Sequence, residues 1–482
     1  MNQTKGHAMT NAQLQAILAE QQDAARRALP SSYAARKASL EKLIALLLDN
    51  GQVLVEAMSE DFGHRSAEQS WMTDIIPSIK AARHAIKHMG KWMKPEPRAL
   101  DFPLGLLGAR ARIEYQPKGV VGIIVPWNFP VQLAFGGLVG ALAAGNRAMI
   151  KGSEFTPVTS DLMAELVARY FARDEVHFVT GGTEVGQAFA SLAFDHLIFT
   201  GGGGVGRHIM RAAADNLTPV TLELGGKSPV IVGRSADTAR AAARVALGKT
   251  LNAGQICLAP DYMLVPRDQE QEIVAAFGRS VSEMYPTMLA NPDYTSIVNS
   301  RHRERLQSYL DDARDKGGEI IEINPANESF GGSNGNKMPT YVVRNAHDGM
   351  KVMQEEIFGP ILPVMTYDGI DDAIGYVNRN DRPLGLYYFG GDAGETRKVL
   401  DTTVSGGVTV NDVIFHVTSE DLPFGGIGPS GMGAYHGIEG FRTFSHAKSV
   451  YVQPKVNIAK LAGLLPPYGK ATQAAIRRDL KA

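Results

Sequence analysis

The feature that most restricts the fold is a change of texture at Val120, where short β-branched runs begin to alternate with helical segments. Strands are predicted at 120–125, 147–151, 175–179, 195–199 and 219–224, and helices near 131–144, 156–171, 183–191 and 205–214. Thr156 followed by Pro157 marks a helix start, because the first turn has no use for the N–H that proline lacks. Alternation at this pitch requires right-handed crossovers and a parallel, doubly wound sheet, whose ligands gather at the carboxyl ends of its strands. A second α/β series follows Gly226, with strands near 228–233, 261–265, 361–366, 386–390 and 406–410 and a helix at 236–251.

Two such series need two cores, and 482 residues exceed the size at which a single core stops growing. The uncharged run from Gly119 to Asn146 is long enough to cross a bilayer, but Pro126, Asn128, Pro130 and Gln132 interrupt it. A buried strand, a tight turn and a buried helix account for it instead. With 49 basic and 50 acidic residues the net charge is -1, which offers no field for nucleic acid or an acidic membrane surface. A single cysteine and a start without an apolar signal core point to the cytoplasm.

Ahead of the sheets, Leu40, Leu43, Ile44, Leu47 and Leu48 fall at helical spacing, with Gly51 where a C-terminal cap is expected. A second helix is expected from Gln69 to Trp92, kinked at Pro77. Its His84 and His88 lie one turn apart without a third ligand, so they read as a solvated face, and no metal is expected. Residues 324–336 read as a polar loop, and the tail, KATQAAIRRDLKA, as a short basic helix too polar to anchor in lipid.

Cys257, within NAGQICLAPD, is the only cysteine, so any thiol chemistry must use that sulfur. Its immediate neighbours are uncharged, and a nucleophile there needs help to lose its proton; the competing reading is a buried space-filler. FTGGGGVGR, residues 199–207, follows a predicted strand and opens a helix, and Gly201, Gly203 and Gly206 satisfy the spacing G-x-G-x-x-G. Such a Rossmann-like turn offers backbone amides to a phosphate, although any glycine run passes the spacing test. Glu223, at the end of the next strand, either holds ribose hydroxyls or acts as a general base beside Cys257, and the residues alone do not choose.

Taken together, PWNFP (126–130), KGSE (151–154), FTGGGGVG (199–206), ELGGK (223–227), GQIC (254–257), EEIFGP (355–360) and PFGGIGPSGMG (423–433) resemble the aldehyde dehydrogenase superfamily. They occur in the family's order and cover roughly residues 110–450. The APDY after Cys257, with GAYHG and FSHAKSV, is most similar to the class-3 branch and the bacterial coniferyl aldehyde dehydrogenase group. The resemblance implies Cys257 as nucleophile, Glu223 as general base, and the Asn128 amide with the Cys257 backbone N–H as oxyanion donors. It also implies a cofactor site: Lys151 and Glu154 at the adenosine ribose, Gly201, Gly202 and Gly206 at the pyrophosphate, and Glu356 at the nicotinamide ribose, with Phe358 and Trp127 alongside. Phe129, Leu133 and Ile256 are expected to line the substrate pocket, where Gly136 leaves space.

The implied reaction is irreversible oxidation of an aldehyde to a carboxylic acid through a Cys257 thiohemiacetal and thioester, with NAD as acceptor and NADP possible. Aromatic aldehydes such as coniferyl aldehyde are expected first, medium-chain aliphatic ones next. The implied architecture is a Rossmann-like cofactor domain (1–98 and 118–225), an α/β catalytic domain (226–425), a small β oligomerisation arm (99–117 and 440–460) that builds a homodimer, and a tail (461–482). Two departures stand out. Gly202 to Gly204 replace the side chains the family usually offers the pyrophosphate, and KGSE replaces the commoner KPSE, which is expected to loosen the turn before Glu154. A coenzyme-A-acylating relative usually lacks the general-base glutamate, a cofactor-independent thiol hydrolase needs no nicotinamide, and an inactive scaffold would have lost a catalytic residue.

Overall fold

A computed structural model describes residues 9–102, 104–330 and 335–480, and in it the two α/β series form two mainly parallel sheets, each with one antiparallel edge strand. In the first, Val120–Ile124 is central, pairing in parallel with Arg147–Lys151 on one side and His196–Gly201 on the other. Val176–Val179 extends the sheet beyond Arg147–Lys151, and Val220–Leu224 beyond His196–Gly201. The short strand Gly431–Met432 closes the far edge antiparallel to Val220–Leu224, with Gly431 opposite Glu223. The chain thus winds outward, returns to the centre and winds the other way. The reversal between Val120–Ile124 and His196–Gly201 opens a crevice at their carboxyl ends.

The second sheet has seven strands, in the order Glu319–Ile323, Thr340–Arg344, Ile361–Tyr367, Tyr262–Pro266, Pro229–Val232, Gly385–Phe389, Gly407–Val410. Its first two strands escaped the sequence reading. Glu319–Ile323 is a half-exposed edge strand whose two glutamates hide the β pattern. The segment between this pair holds the expected polar loop, of which 331–334 lie outside the described residues. A third, antiparallel sheet joins Glu96–Arg98, Arg110–Pro117 and Ser445–Val452, its first strand beginning ahead of the expected arm.

The two main sheets meet edge to edge, and chain direction fixes which edges. Val220–Leu224 delivers Glu223 at its carboxyl end, and the chain re-enters the second sheet five residues after Leu224, at the amino end of Pro229–Val232. Tyr262–Pro266 runs parallel to Pro229–Val232, so the turn carrying Cys257 lies at that same amino edge. The carboxyl edge of one sheet therefore faces the amino edge of the other across the site.

Two expectations for the leading helices are corrected. Gly51 does not cap a helix: Tyr33–Phe62 runs straight through it and stops at Gly63, which takes φ 71°. Gly51 is needed for packing, because a Cβ there would sit 2.3 Å from the Trp71 ring. The break near Pro77 is a π-turn, Trp71–Ile75, after which Ile76–Trp92 begins with proline in its first turn. The run from Gly119 to Asn146 divides into the strand Val120–Ile124 and the helix Pro130–Ala144, and no helix among the described residues is long and apolar enough to cross a membrane.

Candidate active site

Cys257 owes its position to a left-handed turn. Asn252, Ala253 and Gly254 take φ of 48°, 52° and 73°, ending the helix Thr238–Thr250 and reversing the chain. Asparagine tolerates this region and glycine favours it. A Cβ on Gly254 would also meet the Gly359 carbonyl at 2.4 Å. The turn drives Gln255 inward, where its side chain donates to the Asn252 and Ser296 carbonyls at 2.9 and 3.0 Å and accepts from the Val298 N–H at 2.9 Å. The Gln255 backbone carbonyl accepts from the Asn128 amide at 3.1 Å. Asn128, in the loop between Val120–Ile124 and Pro130–Ala144, is thereby held two residues from the sulfur.

Burial is the leading cause pushing the Cys257 thiol up to about 12, and the carboxyls of Glu356 and Glu223 add to it, whereas the backbone N–H groups of Cys257 and Leu258 pull the other way. Glu223 is raised well above an ordinary carboxyl by burial alone, and neither of its oxygens has a hydrogen-bond partner. The chain has spent a carboxyl in its interior with nothing to satisfy it, which a structural role does not explain. Tyr435, buried beside them, feels both Glu223 and Cys257. Phe129, Leu133 and Ile256 belong to the core cluster against which Cys257 packs, along with Phe424 and Tyr435.

Several of the expected cofactor residues lie at the carboxyl ends of the strands in the first sheet. Gly201 ends its strand and Gly202 caps the helix Gly203–Ala214. A Cβ at Gly202, Gly203 or Gly204 would meet nothing within 4 Å, so the first turn of this helix is open on that side. Lys151 is buried, its amine lowered by desolvation and supported by Glu154, and it donates to the Gly152 carbonyl at 2.5 Å. Glu154 is exposed, with the Thr183 hydroxyl 3.4 Å away. The expected looseness before Glu154 is not found. The Gly152 N–H, which a proline lacks, donates to the Val179 carbonyl at 3.1 Å, and a Cβ there would strike Phe178 at 2.8 Å.

On the far side, Glu356 reaches over Gly225, where a Cβ would fall 2.2 Å from its Oε1. That oxygen is buried without a partner, and desolvation pushes the carboxyl up to about 7. The Glu356 segment is stapled by Lys227, which bonds Asp261 and donates to the Val352 and Glu355 carbonyls at 2.7 and 2.9 Å, while Asp261 accepts from the Ile357 N–H at 2.9 Å. Phe358, at φ 50°, turns its ring edge-on to Trp127 at 5.3 Å.

Several residues of the site were not legible in the sequence. Lys249 is fully buried and lowered to about 8, chiefly by desolvation, with Asp261 opposing that shift. No motif in the sequence marks it. His302 lays its ring 5.1 Å from Trp127, with Nδ1 buried and unpartnered. Arg65 and Asp74, far from every recognised motif, form an ion pair with no exposed surface beneath the Asn128 loop. The His84 and His88 rings stack at 4.4 Å, and His84 lies 3.4 Å from Asp421.

A sequence profile of the aldehyde dehydrogenase family matches residues 2–450. The chain belongs to the aldehyde dehydrogenase family. This aldehyde dehydrogenase is 54% identical over 466 residues to a probable coniferyl aldehyde dehydrogenase of Caulobacter vibrioides, covering 96% of each chain. It is 56% identical over 442 residues to a coniferyl aldehyde dehydrogenase of a Pseudomonas species, covering 92% of this chain and 91% of that one. Among solved structures, it superposes with a TM-score of 0.83 and 28% identity on a Mycobacterium tuberculosis aldehyde dehydrogenase complexed with NAD+, over 94% of this chain and 92% of that one. Family membership makes the protein an NAD(P)-dependent oxidoreductase of aldehydes, with the fold the motifs implied.

Proposed function

We propose that this aldehyde dehydrogenase oxidises aromatic aldehydes of the coniferyl type to carboxylic acids, with Cys257 as nucleophile, Asn128 as oxyanion donor and Glu223 as general base. The observation that carries the reading is the buried, partnerless Glu223 carboxyl within electrostatic reach of Cys257, whose turn is tied to the Asn128 amide. At neutral pH the Cys257 sulfur is a thiol, so it must release its proton as it attacks the carbonyl carbon. That proton passes to solvent water, which keeps Glu223, once ionised a stronger base than an exposed carboxylate, for the second half-reaction. As the C–S bond forms, the carbonyl oxygen gains negative charge, which the Asn128 amide and the Cys257 N–H stabilise. When bound, oxidised nicotinamide accepts the hydride that leaves this carbon. The resulting Cys257 thioester is hydrolysed by water that gives its proton to the ionised Glu223, which returns it to the departing sulfur, so that the acid leaves as the thiol re-forms.

Lys151, Glu154, the glycine turn from Gly201 to Gly206, Glu356, Phe358 and Trp127 would hold the coenzyme. NAD is preferred over NADP because the exposed Glu154 carboxylate repels a 2′-phosphate. For the aromatic substrate, the support is the coniferyl aldehyde dehydrogenase relatives and the ring-rich lining of Phe129, Phe424 and Tyr435. Gly136 keeps room beside Gln132 and Tyr435, where a Cβ would already lie 3.4 and 3.6 Å from them. A homodimer is supported by the exposed edge strand Ser445–Val452 and by the exposed apolar side chains of Phe102 and Leu106, 85% and 80% exposed. One cysteine, the reactive one, suits the reducing cytoplasm.

The test is an aldehyde panel assayed with NAD and with NADP, using native protein and Cys257→Ser. Coniferyl-type aldehydes are expected to give the highest kcat/KM with NAD, and the variant no oxidation. Oxidation retained by Cys257→Ser would end the mechanism, and a preference for short aliphatic aldehydes would end the substrate assignment.

A further inference from the structure

Behind Asn128 lies a buried arrangement that aldehyde chemistry does not by itself require. Arg65, just beyond the helix Tyr33–Phe62, and Asp74, in the π-turn Trp71–Ile75, form a 2.7 Å ion pair with both side chains fully shielded from solvent. The other arm of the Arg65 fork donates to the Asn128 backbone carbonyl at 2.8 Å, and that carbonyl also receives the Asn252 amide at 3.2 Å. The second oxygen of Asp74 accepts the Val131 and Gln132 N–H groups at 3.2 and 3.1 Å, at the start of the helix Pro130–Ala144. The guanidinium lies over the Phe62 and Phe129 rings, at 5.0 and 5.2 Å. The pair therefore grips the Asn128 loop at its carbonyl and at the two amides that follow.

Removing two charges from water costs several kcal/mol per ion, and apolar packing of equal volume often serves stability as well or better. Such a pair is better explained by the geometry it fixes than by the stability it adds. Among the described residues, the other hydrogen bond to the Asn128 carbonyl comes from Asn252, in the cysteine turn itself, so Arg65, held by Asp74, anchors that carbonyl from outside the catalytic segment. The π-turn supplies the register, since it places Asp74 against the helix start.

We infer that Arg65 and Asp74 are positioning residues that hold the Asn128 amide where the oxyanion develops. The inference rests on the reading of Asn128 as oxyanion donor. Three variants test it: Arg65→Lys, which keeps the charge but loses the fork; Asp74→Asn; and Arg65→Met with Asp74→Leu, which leaves no unpaired charge. Two rates are compared in each. One is NAD-dependent oxidation of an aromatic aldehyde, which builds an oxyanion. The other is alkylation of Cys257 by iodoacetamide, in which the C–S bond forms as iodide leaves and no carbonyl oxygen gains charge. The oxidation kcat should fall about tenfold or more in every folded variant, while alkylation and the KM for NAD stay within about twofold of native.

Oxidation and alkylation falling together, or oxidation unchanged, would overturn the inference, as would failure of all three variants to fold, which would make the pair a folding requirement. Asn128→Ala, run in parallel, separates the two readings. If it leaves oxidation intact, the role of Asn128 itself is wrong; if it abolishes oxidation while the paired variants do not, only the positioning role is.

Discussion

Cys257 and Glu223 sit in a cleft that disfavours the charged form of both, and this sets the order of events. Burial pushes the thiol to about 12, so reactivity in the coenzyme-free protein follows the small thiolate fraction. Alkylation of Cys257 should then rise about tenfold per pH unit between about pH 7 and pH 10 without levelling. A plateau near pH 8 would show a thiol far less shielded than its surroundings indicate. Glu223→Gln should still acylate and release a first equivalent of NADH, after which turnover stalls, because no base remains for hydrolysis. Rapid-mixing absorbance would read this as a burst without a steady state, and undiminished turnover would reassign the carboxyl. The identity of these residues was legible in their motifs, but their protonation was not, because desolvation is a property of the surrounding cleft.

The glycine turn and the cysteine turn show how differently glycine is used from one element to the next. At Gly206 a Cβ would meet Leu224 at 2.9 Å, so this glycine lets helix and strand close on one another, and at Gly201 it would strike the Phe199 ring of the same strand at 2.6 Å. At Gly203 a Cβ meets nothing within 4 Å, and the residue sits at the first position of its helix. Gly203→Ala should therefore stabilise the coenzyme-free protein by about 0.5–1 kcal/mol, whereas Gly201→Ala should destabilise it by about 1–3 kcal/mol. Thermal unfolding of both variants decides this, and equal effects would mean that the turn is uniformly open. The spacing G-x-G-x-x-G could not separate these roles, since four consecutive glycines look alike. Gly152 makes the same point: read as slack, it is held by a backbone hydrogen bond and wedged against an aromatic ring.

Across the whole molecule, the site is a seam where the carboxyl edge of one sheet meets the amino edge of another, and seams trap titratable groups. Glu356, pushed up to about 7 by desolvation against an ordinary 4.5, binds a proton in the folded coenzyme-free protein at a pH where the unfolded chain has lost it. Its contribution to stability is therefore complete below about pH 4.5 and is lost as pH rises through about 7. Glu356→Gln, which cannot titrate, should lose less melting temperature than native protein between these limits. Parallel melting curves would show the Glu356 carboxyl to be solvated if the two proteins lost stability equally.

The sequence by itself determined the alternation of strands and helices from Val120 and the family to which the chain belongs, because periodicity and ordered short motifs are local properties written along the chain. The tertiary structure alone decided what lies behind them. No motif marks Arg65, Asp74 or Lys249, which the fold buries, and Gly51 reads as a cap until Trp71 is packed against it. Burial and long-range pairing depend on which segments meet, and no stretch of chain carries that information within itself.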